Sequence, residues 1–401
     1  MHQISDIKNT KYMEFNFDEI RCFNNEEVQV VLERLTNEKQ FMKLLSTIYP
    51  LLPKEHIKQR LMSFRSNYAF QKEMVYPFLQ YLEANMTKGI DLNGLNKIDI
   101  AKPYLYISNH RDIILDSAFL CGKLIERGMD TVEIAIGDNL LIFPWIEDLV
   151  RVNKSFIVKR GLSARQVLES SQRLAAYIAY TINDKNQSIW IAQREGRAKD
   201  SNDRTQESLL KMFNMQGGGS FIENMAKLNI CPLSISYEYD PCDFLKAKEM
   251  QQRRDDPDFK KHPMDDLINM QTGVMGYKGT VVYEITGDIN KDLKKIGEEA
   301  TGRNEQIQLT AELIDKRIHS NYTIFAVNKI AYDLIKGSNN FSNEYSIVEK
   351  LDFERYLSLQ IAKIDLPEKD EDYLMKRLLE MYANPLINQL SLNPSYFEEG
   401  E

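Results

Sequence analysis

The sequence predicts an α/β protein, a mixed, largely parallel sheet flanked by helices, with helical additions at both ends. Three observations carry this. Between residues 104 and 290, short apolar runs alternate with segments whose apolar residues recur at three-and-four spacing. Those are the periods of buried strands and amphipathic helices, and their alternation gives strands joined by crossovers, hence a mostly parallel sheet. Before and after this block the helical spacing continues with almost no strand pattern. Finally, 401 residues with 43% apolar and 27% charged side chains are enough for a sizeable core and for two or three units.

In order, residues 1–88 read as a helical N-terminal region. NEEVQVVLERLTNEKQFMKLL and QRLMSFRSNYAFQKEMVYPFLQYLEANM carry helical spacing, and Pro50 and Pro53 separate the first from the second. GIDLNGLNKI, 89–98, alternates and reads as a short strand or hairpin leading into the next strand. Strands are then predicted at 104–108, 131–137, 155–160, 188–195, 230–239 and 279–286, with helices at 113–127, 163–183, 220–228 and 290–299. The glycines 217–219 mark a loop. The densely charged stretch 247–266 reads as a solvated insertion. The units are therefore 1–88, an α/β domain over 89–290, and a helical C-terminal region over 291–401. No internal repeat is visible.

Composition narrows the function. A net charge of −8 argues against nucleic-acid binding through bulk basicity, while leaving room for local cationic patches. The cysteines 22, 121, 231 and 242 form no CxxC pair and have no metal-like spacing to histidine, so reduced thiols in a cytoplasmic protein are expected and no metal site is. The start MHQISDIKNTKYMEF lacks the apolar core of a signal peptide, and no window approaches the ~20 apolar residues of a membrane span. LLIFPWI, 140–146, is the longest notable apolar run, so any membrane contact is expected to be peripheral.

Four stretches carry chemistry. The first is YLYISNHRDIILD, 104–116, where an apolar strand ends at Ser108, Asn109 and His110 before a helical pattern begins. In α/β sheets the carboxyl ends of strands are where ligands bind. If the chain bends suitably, the Asp116 carboxylate can accept from one imidazole nitrogen of His110, leaving the other free to take a proton from a hydroxyl. Asp112 is a competing partner that suits the helix N-cap better. The second is NKSFIVKRG, 153–161, where Lys159 and Arg160 at a strand end, followed by Gly161, suit a phosphate. The third is REGRAKD, 194–200, in which Arg194, Arg197, Lys199 and Arg204 surround Glu195 and Gly196. The fourth is CPLSISYEY, a buried strand by pattern, whose Pro232 suggests a strand start or an edge. Each stretch alone has a plain structural reading: a packed histidine, a solvated strand end, a charged loop, a core strand.

Taken in order over about 130 residues, the four resemble the glycerol-phosphate acyltransferase family, which includes glycerol-3-phosphate and 1-acylglycerol-3-phosphate acyltransferases. The likeness covers roughly residues 90–290 and leaves the helical ends outside it. The resemblance implies that His110, oriented by Asp116, is the general base that deprotonates the acceptor hydroxyl for direct attack on an acyl thioester. It implies that Arg160, with Lys159 beside it, binds the acceptor phosphate, and that Glu195, Gly196 and Arg197 help shape that site. Pro232 would lie in the strand closing the acyl-donor side. The implied co-substrate is acyl-CoA or an acyl-carrier protein, with no cofactor and no metal. The implied place is the cytoplasm, peripheral on the inner face of the membrane, in phospholipid biosynthesis.

The departures point to a divergent branch. Five residues separate His110 from Asp116 where the family has four. Lys154 stands where the family has glycine, and Ala198 stands where the Glu-Gly-x-Arg pattern has arginine. The alternatives are an acyltransferase for another lipid acceptor, such as an amino-acid lipid, or an inactive acyl- or lipid-binding homologue. A histidine metallohydrolase is disfavoured, because no second histidine lies near His110 in the sequence.

Overall fold

The structure is a computed structural model that describes residues 15–393. The reading of the extreme N-terminus lies largely outside the described residues.

Seven strands form one sheet: β1 (Gly89–Asn93), β2 (Leu105–Ser108), β3 (Glu133–Gly137), β4 (Ser155–Val158), β5 (Ile189–Ala192), β6 (Ile230–Tyr237) and β7 (Thr280–Ile285). Their order is β1-β7-β6-β2-β5-β3-β4. Every neighbouring pair is parallel except β6 and β7, which run antiparallel from Leu233 opposite Ile285 to Tyr237 opposite Val281. The fold is thus α/β with a mixed, mostly parallel sheet.

Two features of the sheet differ from the sequence reading. β1 does not pair with the following strand. It crosses to the far edge and pairs with β7, its alternation now one side core and one side solvent. Pro232 sits neither at an edge nor at a strand start, but inside β6 between β2 and β7. It is tolerated there because the β6–β7 register begins one residue later. The Pro232 carbonyl accepts from Thr286 N at 3.1 Å, so its missing N–H faces the end of that ladder.

The sheet's two faces are both covered, as parallel strands require. Alternate residues of β2 and β5 go opposite ways, Leu105, Ile107, Ile189 and Ile191 to one core, Tyr106 and Trp190 to the other. The first core is closed by α8 (Ala164–Asn183), α9 (Glu207–Phe213), α10 (Phe221–Ala226), α13 (Asn290–Glu299) and α14 (Arg303–His319). The second is closed by α5 (Tyr76–Met86) and α6 (Leu115–Glu126). Upstream, α1 (Val28–Asn37), α2 (Lys39–Ile48), α3 (Lys54–Ser63) and α4 (Asn67–Phe70) share a cluster with α7 (Pro144–Val152). Downstream, α15 (Ala326–Lys336), α16 (Ile347–Ala362) and α17 (Glu371–Leu390) make another with Ala247.

The stretch 247–266 is solvated only in part, with residues 253–258 exposed and its start packed inward. It contributes to α11 (Asp243–Asp255) and α12 (Pro263–Met275), and Ala247, Glu249 and Gln251 are buried. Some of its charges are paired: Glu249 with Lys199 at 2.7 Å and Arg253 at 2.9 Å, and Lys261 with Asp266. Among the described residues no helix is long and apolar enough to cross a membrane.

Candidate active site

β2, β4 and β5 are parallel, so their carboxyl ends open on one edge of the sheet. There the chain places His110 after β2, Lys159 and Arg160 after β4, and the 194–199 loop after β5. Asn109 fixes the end of β2. Its side-chain amide donates to the Ile235 carbonyl and accepts from Ile235 N, both at 2.8 Å, which extends strand pairing to β6 by one residue. His110 then packs edge-on against Trp190, with ring centroids 5.6 Å apart, and the Trp190 indole N–H donates to Ser108 Oγ at 3.0 Å.

The bend after His110 brings Asp116, in the first turn of α6, back beneath it. Asp116 Oδ2 lies 2.7 Å from His110 Nδ1 and accepts the backbone N–H groups of Arg111 and Asp112 at 2.6 and 3.1 Å. The carboxylate is fully buried. Residues 113 and 114 form a turn between His110 and α6, which begins at Leu115. Asp112 faces elsewhere: its Oδ1 accepts from Ile114 N and Leu115 N at 2.9 and 2.8 Å. It thus serves the first amides of the helix. Burial, and Asp116 beside it, push the Asp112 carboxyl above its ordinary range. Gly273 of α12 packs on that carboxylate, and a Cβ there would fall inside contact distance of it.

His110 lines a cavity of about 1640 Å³. Lys159, Arg160, Arg194, Glu195, Gly196 and Arg197 line it too, so all the expected site residues except Asp116 reach its wall, and Asp116 stands behind His110. The Arg160 guanidinium lies against the α-carbon of Gly137, where a Cβ would come within 2.6 Å of Nε, and its Nη1 meets Glu195 Oε1 at 3.2 Å. Gly196 has φ +70°, a left-handed turn that lets the loop fold back beneath Glu195. Lys154, where the resembled family has glycine, is also left-handed at φ 58°, and its ammonium is anchored on Asp130 Oδ1 at 2.7 Å.

The cations of this wall fall into two kinds. Lys199 and Arg253 are held by Glu249, and burial pushes the Lys199 ammonium below its ordinary range despite that partner. Lys159, Arg194 and Arg197 make no ion pair among the described residues. Arg197 donates from Nη2 to Asn269 Oδ1 at 3.1 Å, while its Nη1 and the Nε of Arg194 are buried without a partner. Arg197 also feels the buried Asp112 and Asp240 carboxylates, and a guanidinium at a cavity wall has the donor fork that suits an anion. Arg204 does not join them; it reaches Asn388 instead, and Ala198 is buried. Arg111, next to His110, points away from the cavity into a buried ion pair with Asp203 at 2.7 Å, steadied by the Tyr322 hydroxyl.

Apolar lining comes from α2 (Leu44, Ile48), α5 (Val75, Phe78), α7 (Trp145, Ile146, Leu149) and α12 (Leu267, Met270, Val274), with polar residues such as Asn139, Ser170 and Gln271 among them. Of LLIFPWI, Leu140, Trp145 and Ile146 line this cavity, and Pro144 opens α7. Asn269, Gly273 and the anchoring Asn109 carried no signal in the sequence, because their importance lies in close approaches between elements distant along the chain. No group of His, Cys, Asp and Glu among the described residues could hold a metal ion.

A histidine–carboxylate pair and several cations thus stand at one cavity with many apolar side chains in its wall. Residues 89–236, from β1 almost to the end of β6, match the model of the family described as Acyltransferase. Among solved structures the chain is similar to the 1-acyl-sn-glycerophosphate acyltransferase PlsC from Thermotoga maritima, at 9% identity and a TM-score of 0.34, over 74% of this chain and 97% of that one. No curated protein matches.

Proposed function

We propose that the protein transfers an acyl chain from an acyl thioester to the hydroxyl of glycerol-3-phosphate or 1-acylglycerol-3-phosphate. The observation that carries this is His110, backed by Asp116, in the wall of one cavity that also holds apolar side chains and the cations Lys159, Arg160, Arg194 and Arg197. In this reading His110 Nδ1–H is held by Asp116, which leaves Nε2 free to take the acceptor's hydroxyl proton. The oxygen forms a bond to the thioester carbonyl carbon. The tetrahedral intermediate collapses by breaking the carbon–sulfur bond, and the imidazolium returns the proton to the departing thiolate. No acyl-enzyme forms, and the thioester is activated enough that neither metal nor cofactor is needed. The donor is acyl-CoA or an acyl-carrier protein.

Arg160, Lys159, Arg194 and Arg197 hold the acceptor's phosphate, with Glu195 aiming Arg160 and Gly196 shaping the loop. An acidic protein concentrating open cations at strand ends is what phosphate recognition asks for. The acyl chain occupies the apolar arm, and the protein works peripherally at the cytoplasmic membrane face in phospholipid biosynthesis. The test is transfer from a labelled acyl thioester to the two acceptors side by side, with His110→Ala as control. Transfer to one acceptor, lost in the variant, supports the reading; transfer that survives in His110→Ala contradicts it.

A further inference from the structure

Helix α12 supplies part of the cavity wall, and it also carries two buried residues four apart, Asn269 and Gly273, which share one of its faces. They stand about 6 Å apart along the helix axis. Gly273 rests on the Asp112 carboxylate in the turn after His110, where a Cβ would come within 2.0 Å of Oδ2. Asn269 meets the loop after β5 instead: its Oδ1 accepts from Arg197 Nη2 at 3.1 Å. A single turn of α12 therefore touches both the His110 turn and the guanidinium of Arg197.

The Asn269 contact has a fixed direction. Its Nδ2 donates to the Asp265 carbonyl at 2.8 Å, and its own backbone carbonyl accepts from Cys242 Sγ at 3.3 Å. With the amide nitrogen engaged on its own helix, the oxygen is the atom that faces Arg197. That oxygen is neutral, so it holds one amino nitrogen of the guanidinium without cancelling its charge, and Nη1 keeps no partner among the described residues. A carboxylate in this place would make a charge-assisted bond and compete with any anion. Arg197 already lies in the field of the Asp112 and Asp240 carboxylates, so a third acid would leave less of the cation for a ligand. The contact also bears on the altered loop. Arg197 stands one residue before the place the resembled family gives its arginine, and Ala198, at that place, is buried.

We propose that Asn269 is a positioning residue for acceptor recognition: it aims the Arg197 guanidinium at the acceptor's phosphate while leaving its charge available, and so sets selectivity for phosphorylated over unphosphorylated acceptors. This rests on the reading that Arg197 meets that phosphate.

The experiment is calorimetric titration of the full chain with glycerol-3-phosphate and with a short-chain 1-acylglycerol-3-phosphate, each beside its unphosphorylated counterpart. Asn269→Ala, Asn269→Asp and Arg197→Ala are compared with wild type, and melting checks each fold. Wild type is expected to bind a phosphate ester at least about tenfold more tightly than its counterpart. Asn269→Ala is expected to weaken the phosphate ester about three- to tenfold, and Asn269→Asp about ten- to a hundredfold, close to Arg197→Ala. Binding of the unphosphorylated counterpart is expected to stay within about twofold throughout, because it makes no use of the guanidinium charge. The order of the two Asn269 variants decides between roles. Aspartate nearly keeps the shape of asparagine, so a packing role makes alanine the more damaging change, whereas a positioning role makes aspartate so. Alanine more damaging than aspartate, or equal weakening of both ligands, overturns the proposal. Arg197→Ala that loses the preference for phosphate while both Asn269 variants keep it overturns the proposal alone and leaves the phosphate site standing. Wild type without that preference, or Arg197→Ala that retains it, overturns the reading of Arg197 and the proposal with it.

Discussion

Replacing Asp116 with asparagine changes one atom and separates orientation from charge at the proposed base. The carboxylate is fully buried, and a single oxygen collects His110 Nδ1 at 2.7 Å and two backbone N–H groups at 2.6 and 3.1 Å. Its other oxygen is buried without a partner. The asparagine amide oxygen can therefore occupy the shared position, with NH₂ on the vacant side, and the fold loses little. What disappears is the negative charge beside an imidazole that becomes cationic as it takes the hydroxyl proton. A neutral acceptor supports that charge far less, and a positioned base is worth ~10²–10⁴ in rate. Asp116→Asn is thus expected to lower kcat by about 10²–10³, roughly 3–4 kcal/mol of barrier. KM is expected to change little, because Asp116 does not line the cavity. Asp116→Ala, which strands three donors, is expected in addition to destabilise the fold by roughly 2–4 kcal/mol. Steady-state kinetics with thermal melting of both variants separates the effects. Wild-type kcat in a folded Asp116→Asn protein would refute the assignment of His110 and Asp116 as base and partner.

Other contacts give further expected outcomes. Arg160→Ala is expected to raise KM for a phosphate-bearing acceptor about ten- to a hundredfold, and Arg160→Lys to recover only part of it, because the ammonium cannot reproduce the fork; acceptor titration checks this. Asn109→Ala removes both bonds to Ile235 and is expected to destabilise the protein by roughly 2–3 kcal/mol by denaturant unfolding. Gly273→Ala drives a methyl group into the Asp112 carboxylate, and is expected to displace α12 and reduce both activity and melting temperature. Burial pushes the Asp243 carboxyl up to about 7 between the Tyr356 and Tyr382 hydroxyls. The folded state therefore holds that proton more tightly than the unfolded state does, and this contribution to stability is complete below the unfolded carboxyl range and lost as pH rises towards 7. Burial lowers His319 to about 4, which acts oppositely, its contribution lost as pH falls from the ordinary histidine range through 4. Asp243→Asn is expected to remove the first trend, leaving a melting temperature that falls more steeply towards acid.

The strands between 104 and 290 were legible because each is a short apolar run buried on both faces, and period and burial agree there. Their ends were overestimated: Lys159 and Arg160, read as part of a strand, lie beyond β4, where site residues leave the sheet. Strand order was not legible. β1 lies next to β7 rather than β2, because a crossover sets that neighbour and alternation within five residues does not. The stretch 247–266 misled through its charge density, since a row of charges looks alike whether it faces water or, as with Glu249 between Lys199 and Arg253, the protein. Pro232 misled because only the ladder's end at Thr286 shows where its missing N–H is harmless. The residue types at the site could be read from the order of motifs along the chain. The choice between Asp112 and Asp116 as neighbour of His110 could not, as it depends on a three-residue bend. Arg194 and Arg197 could be noted as cations, but their place in the cavity wall is a property of the fold alone.

The proposed function rests on direct transfer from a thioester to a hydroxyl whose bearer is recognised through its phosphate. Thiol release from an acyl thioester, followed with no acceptor, with a glycerol or monoacylglycerol acceptor, and with the same acceptor phosphorylated, tests it most directly. The account predicts release that depends on the phosphorylated acceptor, matches ester formed one for one, and is lost in His110→Ala. Equal release without acceptor, or with the unphosphorylated one, would contradict it.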